Sequence, residues 1–222
     1  MDIFRNLKGA IKHKLLYSNL LAKFTTFYYR YIEVKKRKFG YFSKTARVRY
    51  PIRIKGIENV YLHEGTHILS GAFIIAKGAK FVMKKNSGSA EGLTVVTNTH
   101  PTFIGEWFME KGSNNDFIEA KDIIVEEDVW IATNVTLLMG AHIGRGAVLG
   151  AGSVIRSKVP PYAMVMGNPA KIVGFKFNPE QVIKHEKTLY PPEERIPLET
   201  LEKNYKKYFL DRVSEIKSFT KI

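Results

Sequence analysis

The 222-residue chain contains no cysteine. That excludes a disulfide scaffold, a thiolate zinc site and a cysteine nucleophile together, and it suits a reducing compartment. Nowhere do about 18–20 uncharged apolar residues run consecutively, the length that a membrane-crossing helix needs. Arg5, Lys8, Lys12 and Lys14 stand where an export signal would need its hydrophobic core, so a cytoplasmic protein is expected. Acidic residues are scarce in the first fifty positions, which hold 13 basic and 2 acidic side chains, a net of +11. The rest of the chain holds 22 basic and 19 acidic, a net of only +3. A strongly basic arm therefore precedes a nearly neutral body. With 45% hydrophobic and 25% charged residues, that body has enough apolar material for one core, and wholesale disorder is excluded.

In the arm, residues 1–45, Ile3, Leu7, Ile11 and Leu15 recur at four-residue steps, and Phe4, Leu20, Phe24, Phe27 and Tyr31 continue the apolar series. This is the pattern of an amphipathic helix. Lys35-Lys36-Arg37-Lys38 follows it. Two readings stay open: a helix packed on the body with a solvated basic face, or attraction to an anionic membrane face at about 1 kcal/mol per basic residue. No groove-reading motif is present, so no nucleic-acid partner is expected.

From Val125 a six-residue period takes over. Its first positions are Val125, Ile131, Leu137, Ile143, Leu149, Ile155 and Pro161, and its fifth are Val129, Val135, Ala141, Ala147, Ser153, Val159 and Val165. Such a period is neither helical nor strictly alternating. Gly140, Gly144, Gly146, Gly150 and Gly152 would each cost about 1 kcal/mol inside a helix. The physical solution is an all-β solenoid. Each hexad is a short strand plus a corner, three hexads close a triangular coil, and first and fifth positions point inward. A looser set precedes it: Leu62 with Thr66, Ile68 with Ala72 and Ile74 with Gly78, then, after a slip of three, Met83 with Ser87, Ser89 with Leu93 and Val95 with Thr99. The frame of Val95 returns at Glu119, so residues 101–118 read as a loop inserted in register. A structureless excursion of that length is usually functional.

The repeat ends at Gly174, giving a solenoid over 46–174 and a helical cap over 175–222. Asn178-Pro179-Glu180 is a helix start. A second helix is expected after Pro197, carrying Leu198, Leu201, Tyr205, Tyr208, Val213 and Ile216 on one face. Helices here would cover the solenoid's open strand edges.

TNTHP (97–101), the loop, and EEDVWIATNVTLLMGAHIGRGAVLGAGSVIRSKVPPYAMVMGNPAK (126–171) together resemble the hexapeptide-repeat O-acetyltransferases, the group of the xenobiotic, maltose, galactoside and exopolysaccharide acetyltransferases. The resemblance covers roughly residues 50–175. It implies a left-handed parallel β-helix, a homotrimer with sites between adjacent prisms, and acetyl-CoA as cosubstrate. His100 matches the family's catalytic histidine, which precedes proline just before the loop and acts as general base on the acceptor hydroxyl. Imidazole suits that work near neutral pH. Trp130, in an outward sixth position, matches a tryptophan near the acetyl-CoA tunnel. Thr133, Gly150, Ala151, Arg156 and Lys171 match positions along the cofactor groove. Ala132 stands where the family has glycine, and Arg156 where it has threonine. Asn98, Glu106 and Trp107 are candidates for sugar contacts or for orienting His100.

Other chemistries fit less well. GAGS lacks the GK[ST] ending of a nucleotide-binding loop. The related β-helical carbonic anhydrases gather three histidines across an interface, two of them five residues apart; here His63 and His67 are four apart and His142 lies 42 beyond His100, so by that resemblance no metal site is expected; His185 is assigned to the surface of the capping helix. The expected activity is acetyl transfer to a sugar hydroxyl in capsule, exopolysaccharide or lipopolysaccharide building. Xenobiotic O-acetylation, amino-sugar N-acetylation and a non-catalytic assembly module are the alternatives.

Overall fold

The computed structural model describes residues 23–24, 27–28, 38–112 and 119–220; most of the helical arm expected over 1–45 lies outside the described residues. The body is a triangular prism of parallel strands. Its first wall stacks Tyr41–Phe42, Val60–Leu62, Phe81–Met83, Ile123–Val125, His142–Ile143 and Lys158–Val159. The second stacks Arg47–Val48, His67–Ile68, Gly88–Ser89, Trp130–Ile131, Val148–Leu149 and Ala163–Met166, and Lys171–Phe175 adds an antiparallel edge. The third holds Arg53–Lys55, Phe73–Ile75, Thr94–Val96, Thr136–Leu138 and Val154–Ile155. The first coil begins at Tyr41, inside the stretch assigned to the arm. Phe39 is buried there, with Phe42 packed on the same core, so apolar packing sets that boundary rather than the change of charge.

Hydrophobic burial drives the stacking. Val125, Ile131, Leu137, Ile143, Leu149 and Ile155 are all buried, as are Val129, Val135, Ala141 and Ala147. Each large aliphatic contributes roughly 1.5–3 kcal/mol once covered, and a neighbouring coil is what covers it.

Two of the three corners are constant. Inward residues across the first and second corners are always six apart: Leu62 to Ile68 to Ile74, Met83 to Ser89 to Val95, and Val125 to Ile131 to Leu137. Both corners carry a residue in the left-handed region. The first has Gly65, Asn86, Asp128, Gly146 and Tyr162, and the second has Gly71, Gly92, Asn134, Gly152 and Gly167. Glycine, Asn and Asp tolerate that conformation best. Their amides form a ladder onto the preceding coil: Asn86 N–H donates to Glu64 O, Asp128 to Lys85 O, Asn134 to Glu91 O and Gly152 to Thr133 O, at 2.8–3.1 Å. A change of length at either corner would break that ladder.

The third corner absorbs all irregularity. Ile54 to Leu62 spans eight residues, Ile74 to Met83 nine, Val95 to Val125 thirty, Leu137 to Ile143 six and Ile155 to Val159 four. Three expectations are corrected here. Ala76 and Thr97, not Gly78 and Thr99, fill the inward places after Ile74 and Val95. Glu119 is exposed and pairs with Thr99, so the prism resumes at Ile123 rather than Glu119. The frame also does slip at its end. Val159, not Pro161, stacks on Ile143, because Arg156 and Ser157 alone turn the last corner.

At the carboxyl end, Asn178 caps the helix Pro179–Leu189 in a reciprocal capping box with Gln181, and Pro179 opens its first turn, as the sequence indicates. The next helix, Leu198–Tyr208, does not continue to Ile216. Phe209 leaves helical geometry (φ −128°, ψ −66°), a short turn covers Leu210–Arg212, and a third helix runs Val213–Thr220. His185 is half-buried against Tyr162 and Phe177 rather than a surface residue.

Candidate active site

The thirty-residue excursion at the third corner positions His100. Thr97 is the last inward residue before it, and its hydroxyl donates to Lys77 O at 3.1 Å. Asn98–Thr99 then pairs antiparallel with Glu119–Ala120, and the Lys121 amide donates back to Thr97 O at 2.9 Å. The loop thus leaves and re-enters through a two-stranded neck. His100 sits at the end of this neck with its ring exposed and edge-on to Phe108, centroids 6.0 Å apart. Beyond it, Phe108–Gly112 forms a π-helical turn, and Ile104, Trp107 and Met109 face outward, the last two 75% exposed. Asn98 is half-buried in the neck, while Glu106 and Trp107 are exposed in the loop.

Trp130 projects from the second wall, 51% exposed, as its sixth position in the hexad requires. In register with it are Gly88 one coil earlier and His67 two coils earlier. Adjacent coils are about 4.8 Å apart, so the missing side chain at Gly88 opens a gap between indole and imidazole. The resulting cavity, about 380 Å³, is edged by Asn86, Asp128 and Lys176. Lys176 Nζ pairs with Asp128 Oδ2 at 3.1 Å. An aromatic face with several polar neighbours can take a ring bearing hydroxyls. His67, Asp128 and Lys176 were not singled out from the sequence. Aligning the hexads coil on coil places His67 and Gly88 in the column of Trp130, and that signal was available.

Thr133, Gly150 and Ala151 come together at the second corner, where Gly152 N–H donates to Thr133 O. A Cβ on Gly150 would press Met166 Cγ at 2.9 Å and Val165 O at 3.0 Å, so coil packing alone requires that glycine. Arg156 and Lys171 meet elsewhere, lining a cavity of about 470 Å³ with Arg212. Lys171 lies 3.8 Å from Glu215 and over the Phe219 ring. Lys158 also lines it, and Glu215 engages Arg212 at 2.9 Å; four cations against one carboxylate suit phosphate groups. A single chain therefore leaves the candidates in separate places: His100 at the third corner, Trp130 on the second wall, the small residues at the second corner, and the cations near the capped end. Among the described residues, no three His, Asp or Glu side chains gather as a metal-ligand set, and no helix is long and apolar enough to cross a membrane.

Residues 122–157 match the family described as bacterial transferase hexapeptide (six repeats). That segment of the prism carries the bacterial transferase hexapeptide repeat. The matched segment holds the regular six-residue spacings, and the coils whose third corners are longer fall outside it. The left-handed winding expected from the sequence is that of this hexapeptide repeat. No curated protein matches the chain by sequence. Among solved structures, a hexapeptide-repeat acetyltransferase from Vibrio cholerae O1 biovar eltor, complexed with acetyl coenzyme A, superposes with a TM-score of 0.57 at 24% identity, covering 78% of this chain and 87% of its own. A maltose O-acetyltransferase from Clostridium difficile 630 gives 0.54 at 25% identity, covering 62% and 70%. A point mutant of AntD, an N-acyltransferase from Bacillus cereus, in complex with dTDP and coenzyme A, gives 0.56 at 15%, covering 71% and 94%. An O-acetyltransferase and an N-acyltransferase thus share this fold.

Proposed function

We propose that the protein is an acetyl-CoA-dependent O-acetyltransferase acting on a sugar hydroxyl, assembled as a homotrimer with its sites between prisms. The observation that carries this reading is the exposed His100 ring, held on a two-stranded neck at the one corner where the hexapeptide repeat admits an insertion. The separation of His100 from Trp130 within one chain supports an intersubunit site, in which the third corner of one prism meets the second wall of the next. His100 takes the proton of the acceptor hydroxyl, and the oxygen attacks the thioester carbonyl. The carbon–sulfur bond breaks, and the leaving thiolate takes the proton back from the imidazolium, releasing free coenzyme A. Trp130, Thr133, Gly150 and Ala151 line the path of the pantetheine arm, and Arg156 and Lys171 hold the phosphates. Asn98, Glu106 and Trp107 contact the acceptor.

The +11 charge of the first fifty residues supports work at an anionic membrane face, on lipid-linked acceptors of capsule, exopolysaccharide or lipopolysaccharide building. Thiol release from acetyl-CoA, measured against paired sugars and amino sugars, tests the reaction. Release that depends on a hydroxyl acceptor and is lost in His100→Ala is expected. Release only with amines replaces O- by N-acetylation, release only with drug-like alcohols favours a xenobiotic acceptor, and failure to bind acetyl-CoA at all leaves an assembly module. Salt-insensitive or absent binding to anionic vesicles would remove the membrane part.

A further inference from the structure

A second cavity lies on the first wall, under the helix Leu198–Tyr208, and none of the residues assigned to acyl transfer lines it. Its volume is about 460 Å³, within the range of small-molecule sites. Outward positions of successive coils place Ile124, His142 and Lys158 in one column on this wall. Glu126 fixes the imidazole, with Oε1 2.8 Å from His142 Nε2, and its other oxygen accepts from Lys84 Nζ at 2.7 Å. Burial disfavours the Glu126 carboxylate, but the hydrogen bonds from Lys84 and His142 outweigh it and hold the group below its usual range. The acid is therefore ionised and fully engaged, and Nε2 is the nitrogen that carries the proton.

Lys158 apart, the other charged groups on this wall each have a partner of opposite sign. Arg145 reaches Glu186 at 3.2 Å and Glu127 at 3.3 Å. Lys158 has no acidic partner among the described residues, although it lines the opening. From the helix, Asn204 and Tyr208 project one turn apart into the same space, and Pro160, Pro161 and Ile196 supply apolar surface. A lone ammonium, an amide, a phenol and a proline floor make a site for a molecule with one charged end and a flat body.

We propose that this cavity binds a small organic anion, a phosphate or carboxylate carried on a ring, at a site separate from the acyl-transfer machinery. The anionic group pairs with Lys158, the ring lies against Pro160, Pro161 and Tyr208, and Asn204 takes a polar substituent. No residue given a role in acyl transfer takes part, although Lys158 and Tyr208 border both cavities, so Asn204 is the residue that tells the two sites apart.

Calorimetric titration of the full-length protein with glucose 1-phosphate and with benzoate tests it and separates the two ring anions. Saturable binding of either is expected, weakened at least tenfold in Lys158→Gln and in Asn204→Leu. Lys158 and Tyr208 also border the cavity that holds Arg156 and Arg212, so Arg212→Ala is the control and is expected to leave affinity unchanged. Asn204 lines the first-wall cavity alone of the two, and melting curves of the variants verify that they fold. No binding of either probe up to 10 mM (about the weakest affinity such a contact set gives) overturns the proposal. So does binding that survives Asn204→Leu in a folded protein but is lost in Arg212→Ala.

Discussion

The Tyr162 hydroxyl donates to Glu186 Oε1 at 3.0 Å, joining the last coil of the prism to the first capping helix. Glu186 is fully buried. It also accepts from Arg145 Nη1 and from the Ile196 amide, so one carboxylate ties together a corner, a helix and the segment that leads to the next helix. Tyr162 occupies the left-handed region (φ 60°) where the equivalent corners carry glycine, Asn or Asp. An aromatic residue there is strained, and the packing and hydrogen bond to Glu186 hold it.

Glu186→Ala removes three hydrogen bonds at once and leaves the largely buried Arg145 guanidinium short of an anion. A loss of about 3 kcal/mol is expected, as for breaking a buried pair from one side. Urea unfolding of Glu186→Ala and Glu186→Gln measures it, with the amide variant retaining part of the network and falling between.

Alkaline pH should weaken the same junction. Burial, then the neighbouring Glu186 carboxylate, pushes the Tyr162 phenol well above its ordinary value of 10.0. Below pH 10 both the folded and the unfolded chain hold this proton, and Tyr162 contributes its full stabilisation. Above pH 10 the unfolded chain loses the proton while the folded one keeps it, so stability falls as pH rises. The fall in unfolding midpoint between pH 9 and 11 is expected to be shallower in Tyr162→Phe.

Gly146 lies directly beneath that ring, at φ 68°. A methyl group there would meet Tyr162 Cε1 and Cδ1. Gly146→Ala should cost at least about 1 kcal/mol through backbone strain alone, and thermal unfolding reads it. At Gly152, also left-handed at φ 70° but with open space around it, the same change should cost less.

On the acyl-transfer reading, His100→Ala lowers turnover by about 10²–10⁴-fold, the usual contribution of a general base. Its melting temperature should stay within a degree or two of the parent, because the ring is exposed. Steady-state thiol release beside a melting curve distinguishes loss of chemistry from loss of fold.

The prism was legible from Val125 to Ile155 because burial there repeats with nothing interrupting it, and every first position over that stretch is inward. Legibility failed where one corner changed length. Ala76 and Thr97 turn inward two residues earlier than the hexad frame would put them, and Val159 takes the place expected of Pro161. A period counted along the chain cannot register a corner shortened by two residues, since the strands on either side still look alike. The His100 motif was visible as letters, but its antiparallel neck was not, because Asn98–Thr99 and Glu119–Ala120 are too short to show alternation. The cluster of Arg145, Tyr162 and Glu186 was invisible for another reason: its partners lie far apart in sequence and meet only when the cap folds back.

The third corner has a consequence for how this molecule can change. Two edges of the prism are bolted coil to coil by their amides, whereas along the remaining edge the chain has already accepted turns of five different lengths. A segment hung there can be exchanged for a longer or shorter one without re-registering a single rung. On the acyl-transfer reading, grafting another loop onto the Asn98–Thr99 and Glu119–Ala120 neck is therefore the natural route to a new acceptor, with the scaffold serving as an unchanged chassis.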